Sequence, residues 1–236
     1  MSSTDRPAGL VAVDPAEVVA AIRADPLLGM AIDLAGVAGG RADEVDAAGL
    51  VDVVGAWAGT AERRVAASLV VLGYAARLVG PAVAVLLDAG IVLDLRSERV
   101  RYGYRPETGF RLSLTEPGGW RGPADALRGQ WGRVVVDGHL APFVDAVRAV
   151  VPVSAALLWG NVASGLAGAL RVLGRPDRYR LLGYGPLAGT GDLTVHSGAL
   201  QFVRRSCCLF YRLPGGGYCG DCPLPGTGIR RAATSR

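Results

Sequence analysis

The chain has 236 residues, of which 50% are hydrophobic and 19% charged, a composition that excludes global disorder and suffices to bury one core or two closely packed ones. The net charge of +4 is uneven, because residues 171–236 hold 10 Arg and only three acidic residues, a net of +7. This basic C-terminal region predicts attraction to an acidic protein, an anionic ligand or a nucleic acid.

The first third of the chain predicts helices. Asp14 and Pro15 are typical of an N-cap and a first helical position, so a helix is expected to begin there. Apolar residues at helical spacing predict a second helix over 43–59 and a third over 60–80. Pro81 predicts a break before a further short helix.

The pattern then changes to short β-like runs. Residues 91–114 predict a small antiparallel sheet, and helix resumes over 139–151. Residues 149–170 carry no charge and are long enough to span a bilayer, but their small and polar residues favour a buried core helix and no transmembrane span. Gly-rich residues 183–200 predict a loop.

The predicted fold class is mainly α with a small antiparallel β-sheet (α+β) and a cysteine-rich C-terminal module. We expect a helical scaffold or substrate-binding domain over 14–200, a metal-binding module over 201–224 and a mobile tail over 225–236. The polar N-terminus lacks the apolar region of a secretory signal, which predicts a cytoplasmic protein. In the cytoplasm clustered cysteines more often bind metal than form disulfides.

All four cysteines lie in one short segment, Cys207, Cys208, Cys219 and Cys222. Four thiolates suffice to hold a zinc ion, a [2Fe–2S] cluster or a [4Fe–4S] cluster. Structural zinc sites usually use two spaced pairs, whereas here two cysteines are adjacent. The spacing alone leaves iron–sulfur and zinc both open, with a vicinal disulfide or unligated thiols as a further alternative.

The ten residues between Cys208 and Cys219 constrain the geometry. If they formed an extended hairpin, Cys208 would lie on the order of 13 Å from Cys219, too far for one small cluster. The spacer is therefore expected to wrap as a loop. Gly215, Gly216 and Gly217 would allow this, and their N–H groups would point towards the sulfurs.

The stretch SCCLFYRLPGGGYCGDCPL resembles the C-terminal [2Fe–2S] module of the FhuF-type ferric-siderophore reductases, which has the same cysteine spacing. Two further stretches, ASLVVLGYAARLVGPAVAVLLDAG and LLWGNVASGLAGALR, resemble the helical region of that family, so the resemblance extends over residues 60–224. It implies an oxidoreductase of iron acquisition in which the four cysteines hold a [2Fe–2S] cluster. This cluster would transfer single electrons to Fe(III) in a siderophore and release Fe(II). No catalytic residue beyond the cluster ligands is implied.

Three arginines and two histidines are the remaining candidates for functional residues. The arginines that flank the cysteines are Arg204, Arg205 and Arg212. They are predicted to dock an acidic ferredoxin-like electron donor or the anionic siderophore and to raise the cluster potential. The alternative is that they form a solvated basic face. We expect His139 and His196 to be helix-cap or loop residues.

Two other functions compete with the reductase. One is a zinc module that binds nucleic acid, which the adjacent cysteines and the lack of a nucleic-acid motif oppose. The other is an iron–sulfur electron carrier or redox sensor without its own substrate. The stretch GYGPLAG lacks a flanking strand and helix, so no nucleotide or flavin cofactor is expected.

Overall fold

A computed structural model describes residues 9–24, 32–34, 36, 39–196 and 199–224. The chain forms two compact units, one from Met1–Asp46 and Gly73–Ala146 and the other from Ala47–Leu72 and Val147–Arg236. The described residues confirm the mainly helical α+β class. The predicted mobile tail over 225–236 lies outside the described residues, and the predicted module boundary at residue 201 stays a prediction.

Helices form most of the regular structure. In the described residues they are α1 Pro15–Ala24, α2 Ala47–Trp57, α3 Arg63–Ala89, α4 Ala124–Trp131, α5 Ala141–Val150 and α6 Ala155–Val172. The backbone N–H of Ala16 donates to the Asp14 side chain at 2.7 Å, as expected of an N-cap.

The predicted break at Pro81 is wrong, because α3 continues through this proline. A proline inside a helix costs ~3 kcal/mol by removing a hydrogen bond and crowding the preceding turn. The residues that follow, Ala82, Val83 and Val85, are almost completely buried. Each buried Val contributes about 1.5–3 kcal/mol, so burial outweighs the local cost.

The first unit contains two small sheets. In one, β7 Gly119–Arg121 pairs antiparallel with β1 Val11–Ala12 and β4 Val92–Leu93. The other has the strand order β2 Ile32–Asp33, β6 Gly109–Leu114, β5 Val100–Arg105, β3 Gly40–Arg41. The predicted hairpin is confirmed, with Val100 opposite Leu114 and a turn at 106–108. The predicted strand at 91–95 belongs to a different sheet from this hairpin, and β2 adds a parallel pair.

A wide helical segment over Gly132–Leu140 joins α4 to α5, and neither α4 nor this segment was predicted. Here the Ala141 N–H donates to the carbonyl of Val136, five residues back. Pro142 has no N–H to continue the ordinary pattern, which accounts for bonds to the more distant carbonyl.

His139 lies inside this segment and not at a cap or in a loop, so its prediction is corrected. Its Nδ1 donates to the Leu95 carbonyl at 2.5 Å, and its Nε2 accepts from the Tyr74 hydroxyl at 2.6 Å. The Tyr74 ring stacks on Phe143 with 3.9 Å between centroids. His196, predicted in the same way, is the last residue of the strand Gly191–His196.

Burial lowers the pKa of His139 to about 4, because the charged imidazolium is penalised inside the first unit. The unfolded chain, with a His pKa of about 6.5, therefore binds more protons than the folded chain between about pH 6.5 and pH 4. We expect the free energy of unfolding to fall by up to about 3 kcal/mol as the pH drops through this range. Urea unfolding of the wild type and of His139→Gln at several pH values measures this. The variant should show a shallower loss, and equal slopes would contradict the assignment.

The second unit holds α6 and a hairpin of β8 Gly191–His196 with β9 Ala199–Arg204. The predicted loop over 183–200 is therefore wrong in its second half. Gly191 pairs with Arg204 and lies against the Phe202 ring, where a Cβ atom would come within 2.4 Å. This glycine permits a close strand approach and not a flexible loop.

In the part of the chain that the structure describes, two helices are long and apolar enough to cross a membrane by length and composition, Arg63–Ala89 and Ala155–Val172. In their most apolar windows 61% and 56% of the residues are buried inside the protein. Burial of more than half of a window is expected of a helix that belongs to a protein core.

Candidate metal centre

The cysteine segment follows directly from β9 and is held at several points of the second unit. The Arg204 N–H donates to the carbonyl of Asp221 at 3.0 Å, which joins the start of the segment to its end. The Ser206 hydroxyl donates to the Ala156 carbonyl of α6 at 3.0 Å, and the Ser68 hydroxyl of α3 donates to the Cys208 carbonyl at 2.6 Å. These bonds fix the segment on two helices.

The chain reverses immediately after the adjacent cysteines. Leu209 has φ +64°, and no other non-glycine residue in the described ranges has a positive φ. A left-handed leucine is strained by about 1–2 kcal/mol. The turn Phe210–Arg212 follows, and Gly215 has φ +69°. The predicted wrapping of the spacer is confirmed, since the Sγ atoms of Cys208 and Cys219 lie 3.5 Å apart.

Two of the cysteine sulfurs accept a backbone N–H from the residue two positions later. Leu209 donates to Cys207, and Leu224 donates to Cys222. The N···S distances are 3.3 and 3.5 Å. Such donors stabilise negative charge on sulfur.

The glycines were predicted to donate to the sulfurs, and this is wrong for Gly216. Its N–H donates to the Leu213 carbonyl at 2.8 Å. Gly216 therefore shapes the loop, while the N–H groups that reach the sulfurs belong to Leu209 and Leu224.

Two of the four thiols, Cys208 and Cys219, form a close pair. The hydrogen bond between them is the main cause that lowers the pKa of Cys208 to about 6, and the same bond raises the pKa of Cys219. Burial raises the pKa of Cys207, and the nearby Cys208 and Cys222 thiolates raise it further. Cys208 thus pairs with Cys219, while Cys207 lies within electrostatic reach of Cys222.

This donor set fits a metal cluster. Two thiolates on one tetrahedral metal with bonds of about 2.3 Å lie roughly 3.8 Å apart, close to the observed 3.5 Å between Cys208 and Cys219. Among the described residues, no group of three or more His, Cys, Asp or Glu side chains is placed to hold a single metal ion. A two-iron cluster needs only two thiolates on each iron.

Comparison with known families gives a match over the cysteine segment. Residues 204–224 match the family described as the FhuF 2Fe-2S C-terminal domain. We call these matched residues the FhuF domain. The predicted resemblance is confirmed over these residues and supports an iron–sulfur cluster at the four cysteines. No curated protein matches the chain, and the resemblance of residues 60–203 stays a prediction.

At the start of the FhuF domain the predicted docking role of Arg204 is corrected, because this residue is only 2% exposed. Its Nη2 donates to the side-chain oxygen of Asn161 and, at 3.4 Å, to the carbonyl of Leu157. The Asn161 amide in turn donates to the carbonyl and the hydroxyl of Ser68 at 2.8 and 2.9 Å. No feature of the sequence around Ser68 marks it as a partner of the cysteine segment.

The other two arginines of the FhuF domain lie at the surface, and each has an acidic partner. Arg205, with a side chain 60% exposed, pairs with Asp192 at 2.6 Å. Arg212, 43% exposed, pairs with Glu62 at 3.1 Å. Their docking role stays a prediction, and these pairs reduce the positive charge that they offer to a partner.

Three large aromatic side chains of the FhuF domain are exposed between Cys208 and Cys219. Phe210 is 38%, Tyr211 43% and Tyr218 49% exposed, and the two tyrosine rings lie 6.2 Å apart. We call these three residues the aromatic rim. The rim presents an apolar surface with polar tips close to two of the predicted ligands.

Proposed function

We propose that the protein reduces ferric siderophores by one electron through a [2Fe–2S] cluster bound by Cys207, Cys208, Cys219 and Cys222. The observation that carries the proposal is the match of residues 204–224 to the FhuF 2Fe-2S C-terminal domain, in which the sulfurs of Cys208 and Cys219 lie 3.5 Å apart. A [2Fe–2S] cluster held there would supply one-electron transfer.

The proposed substrate suits such chemistry. Hydroxamate, catecholate and carboxylate oxygens are hard ligands that hold Fe(III) tightly and Fe(II) much more weakly. One electron delivered to the bound Fe(III) therefore releases the metal as Fe(II). The electron comes from a one-electron donor of the ferredoxin class. The electron transfer itself moves no proton.

The chain's own residues would perform three tasks. The cysteine sulfurs bind the irons, the backbone N–H groups of Leu209 and Leu224 stabilise their negative charge, and the aromatic rim receives the siderophore or the donor close to Cys208 and Cys219. The basic charge of residues 171–236 supports an acidic donor. The setting that we propose is the cytoplasm, where ferredoxins and reduced thiols are available.

The function is tested by metal content and turnover of the purified full chain. We expect about two iron atoms and no zinc per chain, with broad visible absorption. Chemically reduced protein mixed with a ferric trihydroxamate should release Fe(II) to a ferrous chelator, and Cys207→Ser should not. Colourless protein with stoichiometric zinc would reject the proposal. A cluster without Fe(II) release would instead indicate an electron carrier.

A further inference from the structure

Arg204 combines deep burial with the lack of an acidic partner. It is 2% exposed, its partners in the described part of the chain are Asn161 and the Leu157 carbonyl, and its Nε has no hydrogen-bond acceptor. A guanidinium stays charged in proteins. Burying an unpaired charge is costly by several kcal/mol, so such a residue requires negative charge nearby.

The cysteine thiols supply that negative charge. The backbone N–H of Arg204 donates to the carbonyl of Asp221, the residue before Cys222, at 3.0 Å. Its guanidinium is linked through Asn161 and Ser68 to the carbonyl of Cys208. No carboxylate competes for the guanidinium among the described residues. Arg205, its neighbour in sequence, points its charge to Asp192 at the surface instead.

A buried chain of hydrogen bonds holds Arg204 in place. Arg204 donates to Asn161, Asn161 donates to Ser68, and Ser68 donates to the carbonyl of Cys208. Asn161 and Ser68 are fully buried. The guanidinium also lies against Gly160, where a Cβ atom would come within 3.3 Å of Nη2. The charge is therefore fixed relative to the cysteine backbone and cannot relax towards solvent.

We propose that Arg204 is the built-in counter-charge of the cysteine centre, a positioning residue that raises the midpoint potential of the bound cluster. The inference rests on the proposed [2Fe–2S] centre and adds to it the residue that sets its potential. Adding one electron makes the centre more negative, and a fixed buried cation stabilises the reduced form more than the oxidised form. The three flanking arginines thus divide into one buried residue that acts on the cluster and two surface residues.

The test compares two variants that each remove one positive charge from adjacent positions, Arg204→Gln and Arg205→Gln. Redox titration monitored by EPR gives the midpoint potential, and visible absorption gives the cluster content. We expect Arg204→Gln to reduce the equilibrium constant for accepting the electron about tenfold or more, which corresponds to ~59 mV. We expect Arg205→Gln to change it less than about twofold, because exposed charges are screened. An unchanged potential in Arg204→Gln, or equal shifts in both variants, would overturn the inference.

Two further variants test the proposal if Arg204→Gln does not assemble the cluster. Asn161→Asp places a carboxylate on the guanidinium with almost no change in shape, and it should lower the midpoint in the same direction; a wild-type midpoint would overturn the proposal. Arg204→Lys keeps the charge and should retain a cluster near the wild-type midpoint. Loss of the cluster in Arg204→Lys as well as in Arg204→Gln would assign Arg204 to packing alone and overturn the inference.

The outcome separates this inference from the function on which it rests. A wild-type protein without a [2Fe–2S] signal has no midpoint to measure, and the proposed function itself then fails. A wild-type cluster whose potential is the same in all of these variants leaves the proposed function intact and removes only the role of Arg204.

Discussion

Cys208→Ser should leave the protein folded but without its iron–sulfur cluster. Cys208 is 2% exposed and its Sγ lies 3.5 Å from that of Cys219, so it is the more enclosed member of the closest pair. A serine hydroxyl is a shorter and harder ligand than thiolate and does not deprotonate readily next to a second sulfur. We expect visible absorption and bound iron to fall to background.

The fold should persist because the cysteine segment contributes few of the buried apolar side chains, most of which belong to the helices and sheets. Far-UV circular dichroism should therefore change little. Ser206→Ala is the matched control, since it removes only the bond to the Ala156 carbonyl and keeps all four thiols. Full-strength, unshifted absorption in Cys208→Ser would remove this residue from the ligand set.

Local sequence patterns predicted those parts of the fold whose causes are local. The N-cap at Asp14, the hairpin between Val100 and Leu114 and the wrapping of the spacer after Cys208 each follow from residues within one turn or one loop. The cysteine centre was predictable for the same reason, because its ligands lie together in a short segment.

Predictions failed where distant contacts decide the structure. Pro81 stays inside a helix because the residues after it are buried, and Gly191 forms a strand because it packs against Phe202. The role of Arg204 depends on Asn161, 43 residues away, and that of Asn161 on Ser68, 93 residues away. No local sequence pattern marks a buried arginine, because arginine side chains are mostly exposed in proteins.

Gly216 and Gly217, two neighbouring glycines of the spacer, differ in the space that an added Cβ atom would find. A Cβ atom on Gly216 would lie 2.3 Å from the carbonyl oxygen of Phe210 and 3.0 Å from that of Leu213, whereas nothing lies within 4 Å at Gly217. The atoms that clash at Gly216 are backbone, so the loop itself must move. Gly216→Ala and Gly217→Ala therefore add the same methyl group with opposite consequences.

We expect Gly216→Ala to displace the loop that brings Cys219 to Cys208 and to reduce the fraction of chains that hold a cluster. Overpacking costs about 1–3 kcal/mol, which is between about fivefold and about a hundredfold in the equilibrium between the native and the displaced loop. Iron content after reconstitution under limiting iron measures the loss, and Gly217→Ala should match the wild type. The remaining clusters should keep the wild-type midpoint potential, because the Gly216 N–H donates to Leu213 and not to a sulfur. Equal occupancy in the two variants would show that the spacer tolerates a moved turn, and a shifted midpoint at full occupancy would show that Gly216 acts on the sulfurs after all.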